Sequence, residues 1–329
     1  MLKVDIRVPV GLPVKETAAF IRQCEDAGFS GVGVHDHQHS GRDVYVTLAL
    51  AAQETSHIRL YPATSNPITR HPMVLASLAH TLEEIAPRRV QLTVGPGFLS
   101  VGNIGRRRAG LREMRDAILM IKDLLAGQTV SFGNVRSRLR NVSPSSTPVF
   151  MTASGPRLLE LAGEIADGVL LLVGLDPKAI EAARRHLERG ARTAGRDLEG
   201  FPIIFITPLA LDEDGLNARR WPQRWMSVGR PWLTYPSKSN LHWLREAGID
   251  LPENVVPESI SDDLSDRICD AFGLFGTAQE CGERLRRAVV EAGVEHVFIF
   301  PSHTVAGGYQ MPSRELEAFR DVIFPRFLG

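Results

Sequence analysis

The residues best suited to chemistry fall in four short segments. The first, His35-Asp36-His37 with His39 two positions on, combines imidazoles with a carboxylate. Such a set can ligate zinc, because His35 and His37 alternate as in the His-x-His of metal hydrolases. On a strand, however, residues 35 and 37 share a face while Asp36 points away. No later segment offers the further His, Lys and Asp that a zinc site needs, so no metal is expected. The same residues suit proton transfer, with His37 titrating near neutrality and Asp36 orienting a partner. Hydrogen-bonded loop groups with no chemical task are the plain alternative. The second segment, Thr64-Ser65-Asn66-Pro67, runs on into Thr69-Arg70-His71-Pro72. In the third, Gly95-Pro96-Gly97, glycine lets a planar ring approach the backbone, although glycine is also ordinary loop punctuation. The fourth is Ala153-Ser154-Gly155-Pro156-Arg157. A small turn opening a helix offers free N–H groups and the positive dipole end to a phosphate. Ser-Gly-Pro also caps helices that bind nothing.

What positions these segments is a repeating unit. Short apolar runs alternate with amphipathic stretches, the pattern of parallel strands inside and helices outside. Strands are expected at Val4–Val10, Gly31–His35, Ile58–Ala63, Val90–Val94, Val149–Thr152, Gly168–Val173, Ile203–Leu211 and Val294–Phe300. Helices are expected at Val14–Ala27, closed by Gly28; from an Asp43 N-cap to about Thr55; from Pro72; at Ala109–Leu125, ended by Gly127; and at Arg157–Ala166. A Gly-Asn pair among β-type residues between Thr129 and Asn141 predicts a small hairpin. The expected fold is α/β, a (β/α)8 TIM barrel formed as one domain over residues 1–329. In that architecture the active site lies at the C-terminal ends of the strands, where all four segments fall.

About 80 residues separate the seventh and eighth expected strands, too many for a plain connection. A long insertion, about 212–265, is therefore expected there. It holds all four tryptophans, Trp221, Trp225, Trp232 and Trp243, with Tyr235 and the prolines from Pro222 to Pro257. Disordered segments lack aromatics, so helices broken by irregular stretches are expected. The tryptophans either pack the insertion onto the barrel or wall a substrate pocket.

Thirty-eight basic side chains balance 38 acidic ones, with 43% hydrophobic and 23% charged residues. That balance gives no cause to expect nucleic acid or an anionic membrane as partner. Cys24, Cys269 and Cys281 are odd in number, lack ligand spacing and read as buried thiols of a reducing compartment. No run of 18 apolar residues and no apolar leader occurs, so a cytoplasmic enzyme is expected.

Several runs together carry a family resemblance: GFSGVGVHDHQHSGRDVYVTLALAAQETSHIRLYPATSNPITRHPMVLA, APRRVQLTVGPG, VFMTASGPRLLELAGEIADGVLLLVG and FGLFGTAQECGERLRRAVVEAGVEHVFIFP. The chain resembles the luciferase-like superfamily, on the side of methylenetetrahydromethanopterin reductase and related enzymes that use coenzyme F420. The resemblance spans nearly all of residues 1–175 and 270–301, and leaves about 212–265 unmatched. It implies that Asp36 contacts a deazaflavin ring and that His37 lies near its reactive carbon. It places Ala63-Thr64 at a bulge that, in such relatives, holds a non-prolyl cis peptide behind the ring. It implies that Ser154, Gly155 and Pro156, with Val173 and Gly174, hold the coenzyme's phosphate tail; Gly95 and Gly97 are expected at the ring because the ends of strands 2 to 4 lie on one side of the barrel mouth. Relatives commonly carry an acidic residue after Gly-x-Gly, whereas this chain has Phe98.

The resemblance implies hydride transfer between F420 and a small organic substrate, in a homodimer. Two alternatives stand beside it: an FMN-dependent luciferase-like monooxygenase, and a non-catalytic flavin- or deazaflavin-binding relative. Deazaflavin reacts poorly with oxygen, so oxygen consumption separates the first alternative from the hydride reading.

Overall fold

A computed structural model describes residues 2–142, 147–225, 237–303 and 307–327. Its strands are β1 (Lys3–Val8), β2 (Gly31–Val34), β3 (Arg59–Pro62), β4 (Leu92–Val94), β5 (Val130–Phe132), β6 (Val135–Ser137), β7 (Val149–Ala153), β8 (Gly168–Leu171), β9 (Ile203–Leu211), β10 (Leu274–Gly276) and β11 (His296–Pro301). Nine of them form one parallel sheet, eight in the order β3-β2-β1-β11-β9-β8-β7-β4 and β10 paired to β9 off that path. Bridges from Leu60 to Val90 and from Ser65 to Val94 join β3 to β4, closing the sheet into a barrel. The expected (β/α)8 fold is therefore observed, with the small hairpin as β5 and β6 outside it.

Local chemistry sets the ends of the helices. Asp43 caps the helix Val44–Glu54 by accepting from the N–H groups of Tyr45 and Val46. Pro72 opens the helix Pro72–Ile85 behind a His71 cap, and Pro156 opens Pro156–Ile165. Gly28 and Gly127 follow their helices with φ of 96° and 75°, a conformation that side chains resist.

Two apolar layers hold the barrel. The outward faces of the strands pack against the helices in the main core, which includes Ile6, Val32, Leu60, Leu92, Met151 and Val297. Inside, Tyr61, Phe150, Leu170, Ile204, Ile206 and Phe298 fill the lumen from β3, β7, β8, β9 and β11. Rings fit because β2 is nearly bare on its inner face. A Cβ on Gly33 would stand 2.6 Å from the Phe298 ring, and one on Gly31 would stand 2.7 Å from the Asp5 carboxyl. The inner residues of β1 are polar: Asp5 low in the barrel, Arg7 above it.

The connection from β9 to β11 is richer than expected. It contains the helices Gly215–Arg219, Trp221–Trp225, Lys238–Glu246 and Asp262–Phe272, then β10, which pairs in parallel with β9, and the helix Ala278–Ala292. At three residues, β10 is too short for a periodic signal. Trp243 is fully buried in the main core, so it packs the insertion onto the barrel. Trp232 and Tyr235 lie outside the described residues. After β11 the chain turns at Tyr309 near the upper rim and descends to Phe319 and Phe324, which pack on Phe29 with centroids 5.5 and 5.0 Å away. All three cysteines are free and buried, and burial pushes the Cys281 thiol up to about 12. Among the described residues, no helix is long and apolar enough to cross a membrane.

Candidate active site

The segments singled out in the sequence meet at the upper mouth. A cavity of about 300 Å³ is lined there by His35, Asp36 and His37 after β2, Ala63 and Thr64 after β3, Gly97 and Phe98 after β4, and Ser154 after β7. Its apolar wall is Leu170, Leu172, Ile206, Phe298 and Phe300. A larger hollow of about 740 Å³ lies beside β10, lined by Arg219, Asp270, Glu283 and other charged residues. None of the four segments reaches it, so size is a poor guide here.

Asp36 is buried and fully committed. Its carboxylate accepts from Ser65 Oγ at 2.6 Å, from Arg70 Nε and Nη2 at 2.9 and 3.0 Å, and from Gln38 Nε2 at 3.2 Å. Arg70 also reaches Asp43 at 2.6 Å and lies 4.9 Å from the centre of the Tyr45 ring. Desolvation of Arg70 is outweighed by the two carboxylates, which hold its guanidinium firmly charged. Asp36 therefore partners Ser65 and Arg70 rather than a histidine. A sequence reading that stops at the end of β2 does not see Arg70 as the counter-ion.

His37 is held at both nitrogens. Asn103 Nδ2 donates to Nε2 at 3.0 Å, which leaves the proton of the neutral ring on Nδ1, donated to the Tyr309 hydroxyl. The two rings stack at a centroid distance of 5.8 Å. Burial, then His39 and Arg7, hold His37 below the ordinary imidazole range, against the opposing pull of Asp36. These causes lower its titration from the ordinary imidazole value and so favour the neutral ring at pH 7. Neither Asn103 nor Tyr309 carried a signal in the sequence, because both reach the mouth from distant loops.

Gly97 lines the cavity, whereas Gly95 is not among its lining residues. The Ala63–Thr64 peptide is cis. A Cβ on Gly95 would stand 3.1 Å from Thr64 Oγ1, and one on Gly97 would stand 2.3 Å from the Val101 side chain. Thr152, on β7, lines the cavity with a buried Oγ1 that has no hydrogen-bond partner. Phe98 occupies the position of the absent acid and is covered by Arg108, whose guanidinium lies 4.5 Å from its ring centre.

The phosphate-type turn divides. Ser154 lines the cavity, and its carbonyl is fixed by Trp243 Nε1 at 2.6 Å. Ser237 and Asn240, from the same insertion, line the cavity beside it. Gly155 is the N-cap with φ −111°, and Pro156 is the first helical residue. Val173 and Gly174 do not line the cavity. Val173 belongs to the main core, and a Cβ on Gly174 would stand 2.5 Å from the Ala271 carbonyl. Among the described residues, no group of three or more His, Cys, Asp or Glu is disposed to hold a metal.

Comparisons agree with this geometry. A 5,10-methylenetetrahydromethanopterin reductase from Methanolobus tindarius is 29% identical over 92% of this chain and 93% of its own length. An F420-dependent glucose-6-phosphate dehydrogenase from Beutenbergia cavernae is 26% identical over 95% of this chain and 93% of its own. The solved coenzyme F420 dependent tetrahydromethanopterin reductase from Methanopyrus kandleri superposes with a TM-score of 0.75, covering 99% of each chain at 24% identity. At that identity the superposition speaks for the fold. The luciferase-like monooxygenase model matches residues 3–296, which takes in the strands from β1 to β10 and the four segments that meet at the mouth. On that match the chain belongs to the luciferase-like monooxygenase family.

Proposed function

We propose that this protein is an oxidoreductase that moves a hydride between a deazaflavin coenzyme, F420, and a small organic substrate at the upper mouth of the barrel. The carrying observation is the convergence of Asp36, His37, Ala63, Thr64, Gly97 and Ser154 on one cavity, in a chain alike over more than nine-tenths of its length to an enzyme named as F420-dependent.

The residues present fit a flat polar ring. Gly95 and Gly97 leave backbone accessible where side chains would collide, and Thr152 Oγ1 is a buried hydrogen-bonding group still to be satisfied. Asp36, Ala63 and Thr64 would contact the ring, while Ser154 and the turn at Gly155 would receive the phosphate tail. When bound, the coenzyme supplies a carbon that gives or takes a hydride. The protein orients the partners, excludes water with Leu172, Ile206 and Phe300, and keeps a proton on His37 Nδ1 shared with Tyr309.

The test is to titrate the purified chain separately with F420 and FMN, following fluorescence or heat. Selective micromolar binding of F420 is expected. Preferential FMN binding, with oxygen consumed when the flavin is reduced, would replace this reading with a monooxygenase. Weak binding of both would leave no coenzyme role.

A further inference from the structure

His37 has the motif, but His35 has the free proton. Arg7 Nη2 lies 3.2 Å from His35 Nδ1, and a guanidinium can only donate. Nδ1 is therefore the acceptor, so neutral His35 carries its proton on Nε2. His35 lines the cavity, and among the described residues its Nε2 has no hydrogen-bond partner. His37, 5.5 Å away between ring centres, has both nitrogens engaged.

Arg7 is itself unusual. It is 2% exposed, donates to the Gly308 carbonyl at 2.7 Å and lies 4.8 Å from the centre of the Phe300 ring. Among the described residues its Nε has no partner and no carboxylate pairs with it. Burial pushes the guanidinium down to about 10, opposed only by Tyr309, so it stays charged at pH 7. A buried cation without a counter-ion is costly. Around it stand Phe300 and His303 from β11 and its loop, His35 and His37 from the β2 end, and Tyr309. Burial, and then Arg7, keeps His35 far below the ordinary imidazole range and holds His303 at about 4. These neighbours are neutral at pH 7, so among the described residues none of them supplies a negative charge to balance Arg7.

We propose that His35, fixed by Arg7 as a neutral imidazole protonated on Nε2, donates a hydrogen bond to a substrate carbonyl oxygen and stabilises the negative charge that develops there. This rests on the hydride-transfer reading and names the substrate class as a carbonyl–alcohol pair. In reduction the carbonyl carbon would receive a hydride from the reduced deazaflavin: the donor's C–H bond breaks as the new C–H bond forms, and the coenzyme is left oxidised by two electrons. The π pair of the C=O bond moves onto oxygen, giving an alkoxide that accepts from His35 Nε2–H in the field of Arg7. The alkoxide then takes a proton from water, and His35 keeps its own. Oxidation of the alcohol runs the same steps backwards. A donor already aimed where charge develops needs no reorganisation during the reaction. Neutral imidazole suits this role because it never competes as a cation for the pair it stabilises. His35 is thus the catalytic contact and Arg7 a positioning residue behind it.

The test uses the full chain and two readouts. ¹⁵N NMR of the imidazoles should show His35 as the Nε2–H tautomer, unprotonated at pH 7 and still unprotonated where an ordinary imidazole is half-protonated. In Arg7→Gln that tautomer should mix and the ring should titrate. The second readout is binding of 4-nitrophenol, whose absorbance reports its ionisation state. It should bind as the phenolate, about tenfold or more weaker in His35→Ala and in Arg7→Gln. Arg7→Lys, which keeps the charge, should retain more affinity than Arg7→Gln. An Nδ1–H tautomer or an ordinary titration of wild-type His35 would overturn the proposal. Binding as neutral phenol, absence of binding, or affinity unchanged by His35→Ala would do the same. None of these measurements needs coenzyme, so failure of the F420 titration with success here would remove the coenzyme and leave the oxyanion site standing.

Discussion

Asp5 and Arg7 stand two residues apart on β1 and face the same barrel interior, yet their surroundings differ in kind. Asp5 has a complete set of partners: Arg59 Nη2 at 3.3 Å, His296 Nε2 at 3.0 Å and the Tyr61 hydroxyl at 2.8 Å. Its burial alone would raise the carboxyl, but His296, Arg59 and Tyr61 together lower it below the usual carboxylate range. Arg7 has a carbonyl, an imidazole and an aromatic face, and no anion. The lower layer is closed and serves the fold. The upper layer is open, and a charge left unbalanced inside a well-packed barrel marks the end where a ligand completes the structure.

The largest expected effect is in the lower layer. Asp5→Ala leaves Arg59 and His296 without their anion and Tyr61 without its acceptor, so a loss of about 3–5 kcal/mol is expected in urea unfolding at pH 7. The sign with pH follows from the depressed carboxyl. Its contribution is fully present above the unfolded carboxylate value of about 3.9 and is lost as pH falls through the lower folded value. A variant as stable as wild type would show that the closed layer is not structural.

Arg7→Met sharpens the contrast, because it removes the cation from the upper layer. Stability should change by no more than about 1 kcal/mol in either direction, since a desolvated charge is replaced by an apolar chain while one carbonyl loses its donor. Turnover should fall by tenfold or more. The pH dependence adds a check. His35 and His303 have lowered folded values, so the unfolded chain binds more protons below about pH 6.5 and wild-type stability declines from there toward the folded value of about 4 for His303. Without Arg7 those folded values rise and the slope should flatten. A slope as steep in Arg7→Met as in wild type would mean that burial alone, not the cation, sets these imidazoles.

The difference between the layers also explains what the sequence disclosed. Strands and helix caps were legible because their signals are local: the Asp43 cap, Gly28 after its helix, the apolar runs of β1 to β4 and β7 to β9. The four segments of the mouth were legible because each directly follows a strand. Arg7 was not, since one basic residue in an apolar strand looks the same in a closed ion pair as in an open one. Tyr309 and Asn103 were hidden for a similar reason. Each lies in a loop far from His37 in sequence, and only the closed barrel brings them together. Strand β10 was missed because three residues carry no period, and Trp243 was placed in the insertion without any sign that its indole would fix the Ser154 carbonyl.

Tyr309→Phe tests the join between the loop after β11 and the mouth. It strands the His37 Nδ1–H inside a buried site, so the ring should turn or change tautomer, visible in its ¹⁵N shifts. Turnover should drop about 3- to 10-fold, with coenzyme affinity within about twofold, as expected for a group that acts on protons rather than on binding. Equal loss in affinity and turnover would make Tyr309 a part of the binding wall.

The smallest expected effect is at the turn that closes the other side of the mouth. Gly155 caps the helix Pro156–Ile165 with φ −111° and ψ 153°, extended backbone that any residue adopts, so the position does not need glycine for its conformation. A Cβ there would stand 3.3 Å from Ser239 Oγ, a contact the hydroxyl can relieve by a small rotation. Gly155→Val should therefore leave thermal stability nearly unchanged. If the N–H groups of this turn receive a phosphate, the branched side chain obstructs its approach, and affinity for intact F420 should fall severalfold while affinity for the phosphate-free ring fragment stays the same. Equal loss for both ligands, at unchanged stability, would mean that the turn only caps its helix and that the phosphate tail lies elsewhere. Since Trp243 holds the adjacent Ser154 carbonyl, Trp243→Phe would then show whether the insertion shapes this side of the mouth through that single hydrogen bond.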